Sequence, residues 1–230
     1  MYNNNRGNRS GGGGYGRGDN NRGGGGGRGG YGNRGGGGFR PRGQQDFRPK
    51  RNPLPEGFAL YYVALICPDE LNEKVKAQKE YMFEQYGCRA AGKSPAHITI
   101  VPPFRAEEDL QQNLLDFVTT FNIGIAPFTV DLNGYGNFGD RVLFIDVAPN
   151  QQLLQLEQEC MQEFTDQFPS IIFGMKPPFN PHVTIATRDI PEGKLQEAKA
   201  YFEAQGSFAE QFDAKELRLV KLDHGNWNVV

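Results

Sequence analysis

The order apolar strand, amphipathic helix, histidine-bearing strand is written twice into this 230-residue chain, and that duplication limits the folds open to it. Phe58–Ile66 (FALYYVALI) is rich in β-branched and aromatic residues and long enough for a buried strand. Pro68-Asp69-Glu70 then opens a helix, with acids beside its amide end. Leu71, Val75, Met82 and Tyr86 recur at helical spacing before Gly87 closes the run. His97–Val101 follows as a strand stopped by Pro102-Pro103. Leu110, Leu114, Phe117, Val118 and Phe121 mark a second helix, and Phe128–Leu132 a short strand before a glycine-rich turn. The order then returns. Arg141–Val147 is a strand, and Leu153, Leu156, Met161, Phe164 and Phe168 mark a helix. His182–Thr187 is the second histidine strand, Leu195, Ala198 and Phe202 mark a helix, and Glu216–Leu222 closes as a strand. Ile66 lies 31 residues before His97, and Val147 lies 35 before His182. Two copies are too few for a solenoid. The expectation is a bilobal α/β domain, with lobes near 58–135 and 140–225 and an exchange of strands between them left open, whose pseudo-twofold relation sets the two histidine strands across a groove.

Composition separates this domain from what precedes it. Residues 1–43 hold 20 of the 31 glycines and no aliphatic core former, so they cannot offset the entropy of ordering and are expected to be disordered. Residues 44–57, with Pro49, Pro53 and Pro55, read as a linker, which makes 1–57 tail and linker and 58–230 the folded domain. Residues 1–51 carry 11 Lys and Arg against Asp19 and Asp46, a charge of +9; with −2 for the whole chain, the remainder is −11. A basic tail on an acidic body points to a polyanionic partner for the tail and argues against a broad nucleic-acid surface on the body. The Arg-Gly repeats with Tyr15, Tyr31, Phe39 and Phe47 resemble RGG-type segments, which implies RNA as that partner through phosphate contacts and stacking. Cys67, Cys88 and Cys160 are odd in number and lack metal-ligand spacing, so a reducing, cytoplasmic setting is expected. No run reads as a signal peptide or membrane span, and a monomer is the expectation.

His97-Ile98-Thr99-Ile100 and His182-Val183-Thr184-Ile185 use two of the three histidines. Side chains alternate faces along a strand, so His and Thr of each copy share a face while Ile98 and Val183 turn to the core. A single His-x-Thr in a strand is ordinarily a partly buried polar pair. Two at equivalent places in a duplicated fold point instead to one site. Imidazoles exchange protons near neutrality, and the threonine hydroxyls can donate to phosphate oxygens where charge grows. A zinc site would need His224 as a third ligand. That residue falls outside the repeat, beside Gly225, and is expected in an exposed turn. Neither a metal nor a cofactor is expected.

The segments PAHITIVPPF (Pro95–Phe104) and FNPHVTIATR (Phe179–Arg188) resemble the paired His-x-Thr/Ser-x motifs of the two-histidine (2H) phosphoesterase superfamily, in its 2′-5′ RNA ligase and RNA cyclic-phosphodiesterase branch. The likeness covers roughly residues 58–222 and not the tail. It implies an α+β fold of two mainly antiparallel sheets around a central cleft, with helices outside. It also implies metal-independent hydrolysis of 2′,3′-cyclic phosphate ends or 2′-5′ linkages in RNA or a nucleotide. By position, His97 and His182 are then the acid/base pair, and Thr99 and Thr184 hold the phosphate. Arg188, six residues after His182, shares its face if the strand continues regularly, and Phe104 and Phe179 flank the motifs as candidate substrate contacts. A 2′-5′ ligase would use the same residues, and a non-catalytic nucleotide- or RNA-binding module the same cleft.

Overall fold

Strand β1 (Phe58–Ile66) is buried on both faces at its centre. Tyr61, Val63 and Leu65 enter the main core, while Tyr62 and Ala64 form a second, small apolar cluster with Val220 on the opposite face. A strand so enclosed must lie inside a sheet, and β1 does. The computed structural model describes residues 54–173 and 178–230; expectations for residues 1–53, the RNA-binding tail included, lie outside the described residues. After β1 come α1 (Asp69–Tyr86), a 3-10 turn at Ala91–Lys93, β2 (His97–Glu107) and α2 (Gln111–Ile123). Then follow β3 (Phe128–Phe138), β4 (Val142–Val147), α3 (Gln151–Gln167), β5 (His182–Thr187) and α4 (Lys194–Ala204). A further 3-10 turn at Glu108–Leu110 leads into α2, and the strands β6 (Ala209–Ala214), β7 (Leu217–Asp223) and β8 (Asn226–Val229) complete the described elements.

Two four-stranded antiparallel sheets result, in the orders β2-β1-β7-β8 and β5-β4-β3-β6. The two histidine strands are therefore both edge strands, and β2 and β5 lie against each other. The helices cross between halves: α1 packs on β5 and α3 on β2, while α2 packs on β7 and α4 on β3 and β4. One continuous core of buried apolar residues fills the space these crossings enclose. Its centre includes Phe164, fully buried on α3 and ringed by Phe104, Phe117, Phe168 and Phe173 at 4.9–5.9 Å.

Helix ends follow the sequence closely. Gly87, at φ 73°, takes the left-handed conformation that closes α1, and its N–H donates to the Phe83 carbonyl. The Asn150 side chain caps α3 by accepting from the Leu153 N–H. Two expectations are corrected. First, β2 does not stop at Pro102-Pro103 but runs to Glu107, because it is an edge strand with bulges opposite Tyr61–Ala64, where missing donors are tolerated. Second, Gly134 and Gly136 do not end β3: Gly134 (φ 78°) sits at a bulge, and pairing resumes through Phe138. The strands closing each half are exchanged, β3 joining the second sheet and β7 the first. Each also pairs with a strand that was missed, β8 with β7 and β6 with β3. AEQFDA has one large apolar residue, Phe212, and NWNV alternates but is only four residues long, too little in either case to signal a strand.

Candidate active site

Each histidine strand enters its sheet through a bend that fixes the imidazole before the strand begins. The His97 Nδ1 lies 2.8 Å from the Pro95 carbonyl oxygen, and the His182 Nδ1 lies 2.8 Å from that of Asn180. A carbonyl only accepts, so Nδ1 carries the hydrogen in both rings and Nε2 is left as the lone-pair nitrogen. The same i to i−2 contact in both strands gives the two histidines equivalent tautomers. Between them the strands alternate as expected: Ile98, Ile100, Val183 and Ile185 are buried, whereas His97, Thr99, His182 and Thr184 are only half-buried.

The bend before His97 is clamped by α1. The Asn72 Oδ1 accepts from the Ala96 N–H at 2.7 Å, and the Lys79 Nζ donates to the Ser94 carbonyl at 2.9 Å. Lys79 is 7 % exposed, and burial lowers its ammonium to about 8. The far end of β5 is tied down in turn, since the Asp189 Oδ2 accepts from the Arg89 and Ala90 N–H groups at 2.6 and 2.8 Å.

Aromatic rings support both imidazoles. Tyr62, on the same face of β1 as Ala64, stacks on His97 with centroids 4.8 Å apart and planes at 24°. Trp227 of β8 packs behind Tyr62 at 4.8 Å. On the second sheet Phe138 meets His182 edge-on at 4.9 Å and 88°, and Phe144 tilts against it at 4.9 Å. Gly136, paired with Phe144 across β3 and β4, makes room for that ring: a Cβ there would lie 2.3 Å from the Phe144 Cε2. Gly136→Ala is thus expected to displace Phe144 from His182 and to cost about 1–3 kcal/mol of stability. Thermal unfolding followed by circular dichroism checks it; an unchanged midpoint would refute the tight fit.

Burial pushes the His97 imidazole down to about 4; the Pro95 carbonyl opposes this, while the positive charge of Lys79 and any proton on His182 add to it. His182 is also lowered, again chiefly by burial, with the Asn180 carbonyl and the Asp146 carboxylate opposing. Asp146 is its direct partner in the β4–β5 ladder.

A cleft of about 560 Å³ joins the two edge strands, bringing Thr99 of β2 together with His182 of β5, and Phe138, Phe179 and Glu157 form part of its wall. Glu157, on α3, is 4 % exposed, and composition gave no sign of it. Phe179 stands at the cleft, but Phe104 does not: it is a core residue, 3 % exposed, packed on Tyr61 and Phe164. The premise for Arg188 also fails. β5 ends at Thr187, and Arg188 has φ 69°, so strand alternation no longer assigns its side chain to the histidine face. His224 lies in the β7–β8 turn, exposed, 3.6 Å from Asp223 and outside the cleft. Among the described residues no group of three His, Cys, Asp or Glu is gathered as a metal cage, and no helix is long and apolar enough to cross a membrane. The three cysteines are free and buried. Sequence reasoning missed Tyr62, Phe138, Phe144 and Trp227; their one signal was aromatic residues at strand positions, which core packing explains equally well.

Two antiparallel sheets meeting at matched His-x-Thr edge strands define an enzyme of the two-histidine phosphoesterase type. Residues 67–226 match the sequence profile of the 2′-5′ RNA ligase superfamily, and the chain belongs to that family. A Geobacillus kaustophilus protein named as a putative phosphoesterase is 27 % identical over 174 residues, covering 74 % of this chain and 92 % of its own. A similarly named protein of Bacillus mycoides is 24 % identical over 137 residues, covering 59 % and 76 %. The fold is shared with Escherichia coli LigT complexed with 3′-AMP (TM-score 0.54, 17 % identity, 75 % of this chain and 94 % of LigT). It is shared too with TT0787 of Thermus thermophilus (TM-score 0.52, 21 % identity, 74 % and 94 %).

Proposed function

We propose that the protein is a metal-independent RNA phosphodiesterase that opens 2′,3′-cyclic phosphate ends, with His97 and His182 as its acid/base pair. The observation that carries this reading is the equivalent tautomer of the two imidazoles, each presenting Nε2 from the half-buried face of an edge strand. One Nε2 takes a proton from water as its oxygen attacks phosphorus. The other gives a proton to the departing ribose oxygen, so the P–O bond breaks without releasing an alkoxide. Thr99 and Thr184 donate hydroxyls to the non-bridging oxygens, where negative charge grows. Acid, base and donors are all side chains, so the scheme requires no metal. LigT, which shares the fold, is complexed with 3′-AMP, a nucleotide bearing a 3′ phosphate. With a ribose 5′-hydroxyl in place of water as the attacking group, and the 3′-oxygen departing with the proton from the acid, the same steps form a 2′-5′ linkage.

The environments of the two histidines support one division of roles. His97, with Lys79 behind it, holds a proton poorly and serves as base; His182, with Asp146 across the ladder, is the better proton holder and serves as acid. The Arg/Gly-rich tail delivers RNA to the cleft by tethering, and the free cysteines fit the cytoplasm. Neither step of the chemistry needs a second subunit.

The direct test is product analysis on a 2′,3′-cyclic-ended oligonucleotide in excess chelator. A phosphomonoester product supports the reading; nucleotide binding without turnover would support a binding module instead, and loss of activity on chelation would overturn metal independence. The pH profile tests the roles. A base lowered to about 4 is active above that pH, and an acid lowered beneath the ordinary 6.5 is lost before pH 6.5 is passed. We therefore expect kcat/KM, which reports the free enzyme, to peak between about 4 and 6.5. A maximum above pH 7 would refute the assignment.

A further inference from the structure

A second groove lies on the other side of the Ser94-Pro95 bend. Its volume is about 620 Å³, within the roughly 300–1,000 Å³ of ligand sites. Lys76, Lys79, Arg89 and Lys93 line it together with Trp227, against a single carboxylate, Glu80. That balance runs counter to the body of the protein. Of 25 Lys and Arg and 27 Asp and Glu in the chain, residues 1–51 hold 11 and 2, leaving 14 cations and 25 acids for residues 52–230. Four of those 14 cations thus gather in one groove with one of the 25 acids. In an otherwise acidic surface this focuses an attractive field on anions.

The cations are available for such a ligand. Lys76, Arg89 and Lys93 are exposed. Among the described residues Lys76 makes a loose ion pair with Glu73, at 3.4 Å, and the Arg89 guanidinium rests over the Phe83 ring at 4.8 Å. The half-buried Trp227 adds an aromatic surface, and Asn72, Asn226 and Asn228 add amides. The groove also connects to the histidines. Its wall includes Pro95, whose carbonyl accepts from the His97 Nδ1, and Trp227 packs on the Tyr62 ring that stacks on His97. A row of phosphates with bases between them fits this combination of cations and one indole, because every base has a face to stack.

We propose that this groove holds the nucleotides immediately 5′ of the reacting phosphate in a single-stranded RNA. Backbone phosphates meet Lys76, Arg89 and Lys93, and one base stacks on Trp227. The orientation of the strand rests on the phosphodiesterase reading above; the binding does not. The site makes the enzyme one for RNA ends rather than for free cyclic nucleotides.

Trp227 is the only tryptophan in the chain, so its fluorescence reports this groove and not the tail. The test titrates the full-length protein with a pentaribonucleotide ending in a 3′-phosphate. The expected result is saturable quenching whose log affinity falls with log salt at a slope near 2, about 0.7 for each of three phosphate contacts. The double variant Lys76→Glu/Lys93→Glu, both at exposed positions, should need at least tenfold more RNA for half-quenching. No quenching, or a variant that titrates as the wild type, would overturn the proposal. So would a hexaglutamate peptide that quenches as well as the RNA. A protein that quenches but cannot open cyclic phosphates keeps the groove and loses the catalytic reading. One that opens a cyclic mononucleotide without any quenching by RNA loses the groove alone.

Discussion

His97→Ala and His182→Ala are each expected to lower kcat/KM toward a 2′,3′-cyclic nucleotide by about 10²–10⁴-fold, the usual contribution of a positioned acid or base. The two losses should not multiply. Acid and base act on one displacement, so removing the second after the first costs little more, as with other groups that work as a unit. The double variant is expected to resemble the worse single variant. Steady-state kinetics on all three proteins, with circular dichroism to verify folding, decide the matter. A single variant retaining more than a tenth of wild-type kcat/KM would remove that histidine from the mechanism. The asymmetry of the site adds a finer expectation. Since burial, helped by Lys79, disfavours the charged form of His97, its loss should remove the acidic limb of the pH profile, whereas loss of His182 should remove the basic limb.

Phe164→Ala is the substitution expected to cost most in stability. The ring is fully buried and touches four others, two of them on α3's neighbours β2 and α2. Truncation removes the transfer free energy of the ring and leaves a cavity that rigid neighbours cannot fill, about 3–5 kcal/mol together. For a domain of this size that corresponds to a fall in Tm of roughly 6–20 °C. Differential scanning calorimetry would measure it, and a drop of under 2 °C would show that the aromatic cluster collapses around the gap. Because Phe104 belongs to the strand that begins at His97, activity at 25 °C is also expected to fall before the protein unfolds.

The two histidine strands were legible for a simple reason: their side chains alternate. In HITI and HVTI polar and β-branched residues trade places at each step, and both strands appear where the pattern puts them. The helices were legible through their apolar stripes and Gly87. Sheet membership was not, because the pairing of β3 with β6 and of β7 with β1 joins residues up to 160 positions apart, and no local pattern encodes a distant partner. Proline misled at β2 because its cost depends on whether a strand lies at an edge. Phe104 and Phe179 were indistinguishable as flanking aromatics. Only the third dimension sends one into the core with Phe164 and the other to the cleft. Lys79 was hidden for the same reason, as one lysine among several on α1 whose burial follows from the Ser94 carbonyl above it.

The exchange of strands between the halves has a consequence for synthesis. The first sheet is β2-β1-β7-β8, so its last two strands are Leu217–Asp223 and Asn226–Val229, made after everything else described here. As the chain leaves the ribosome, β1 and β2 must wait with one flank open while the entire second sheet is translated. His97 therefore has its strand early but its supporting Tyr62–Trp227 stack only at the end. A nascent chain stopped just past α4 would contain both His-x-Thr motifs and yet lack a finished sheet around either, so assembly of the cleft waits for β6, β7 and β8.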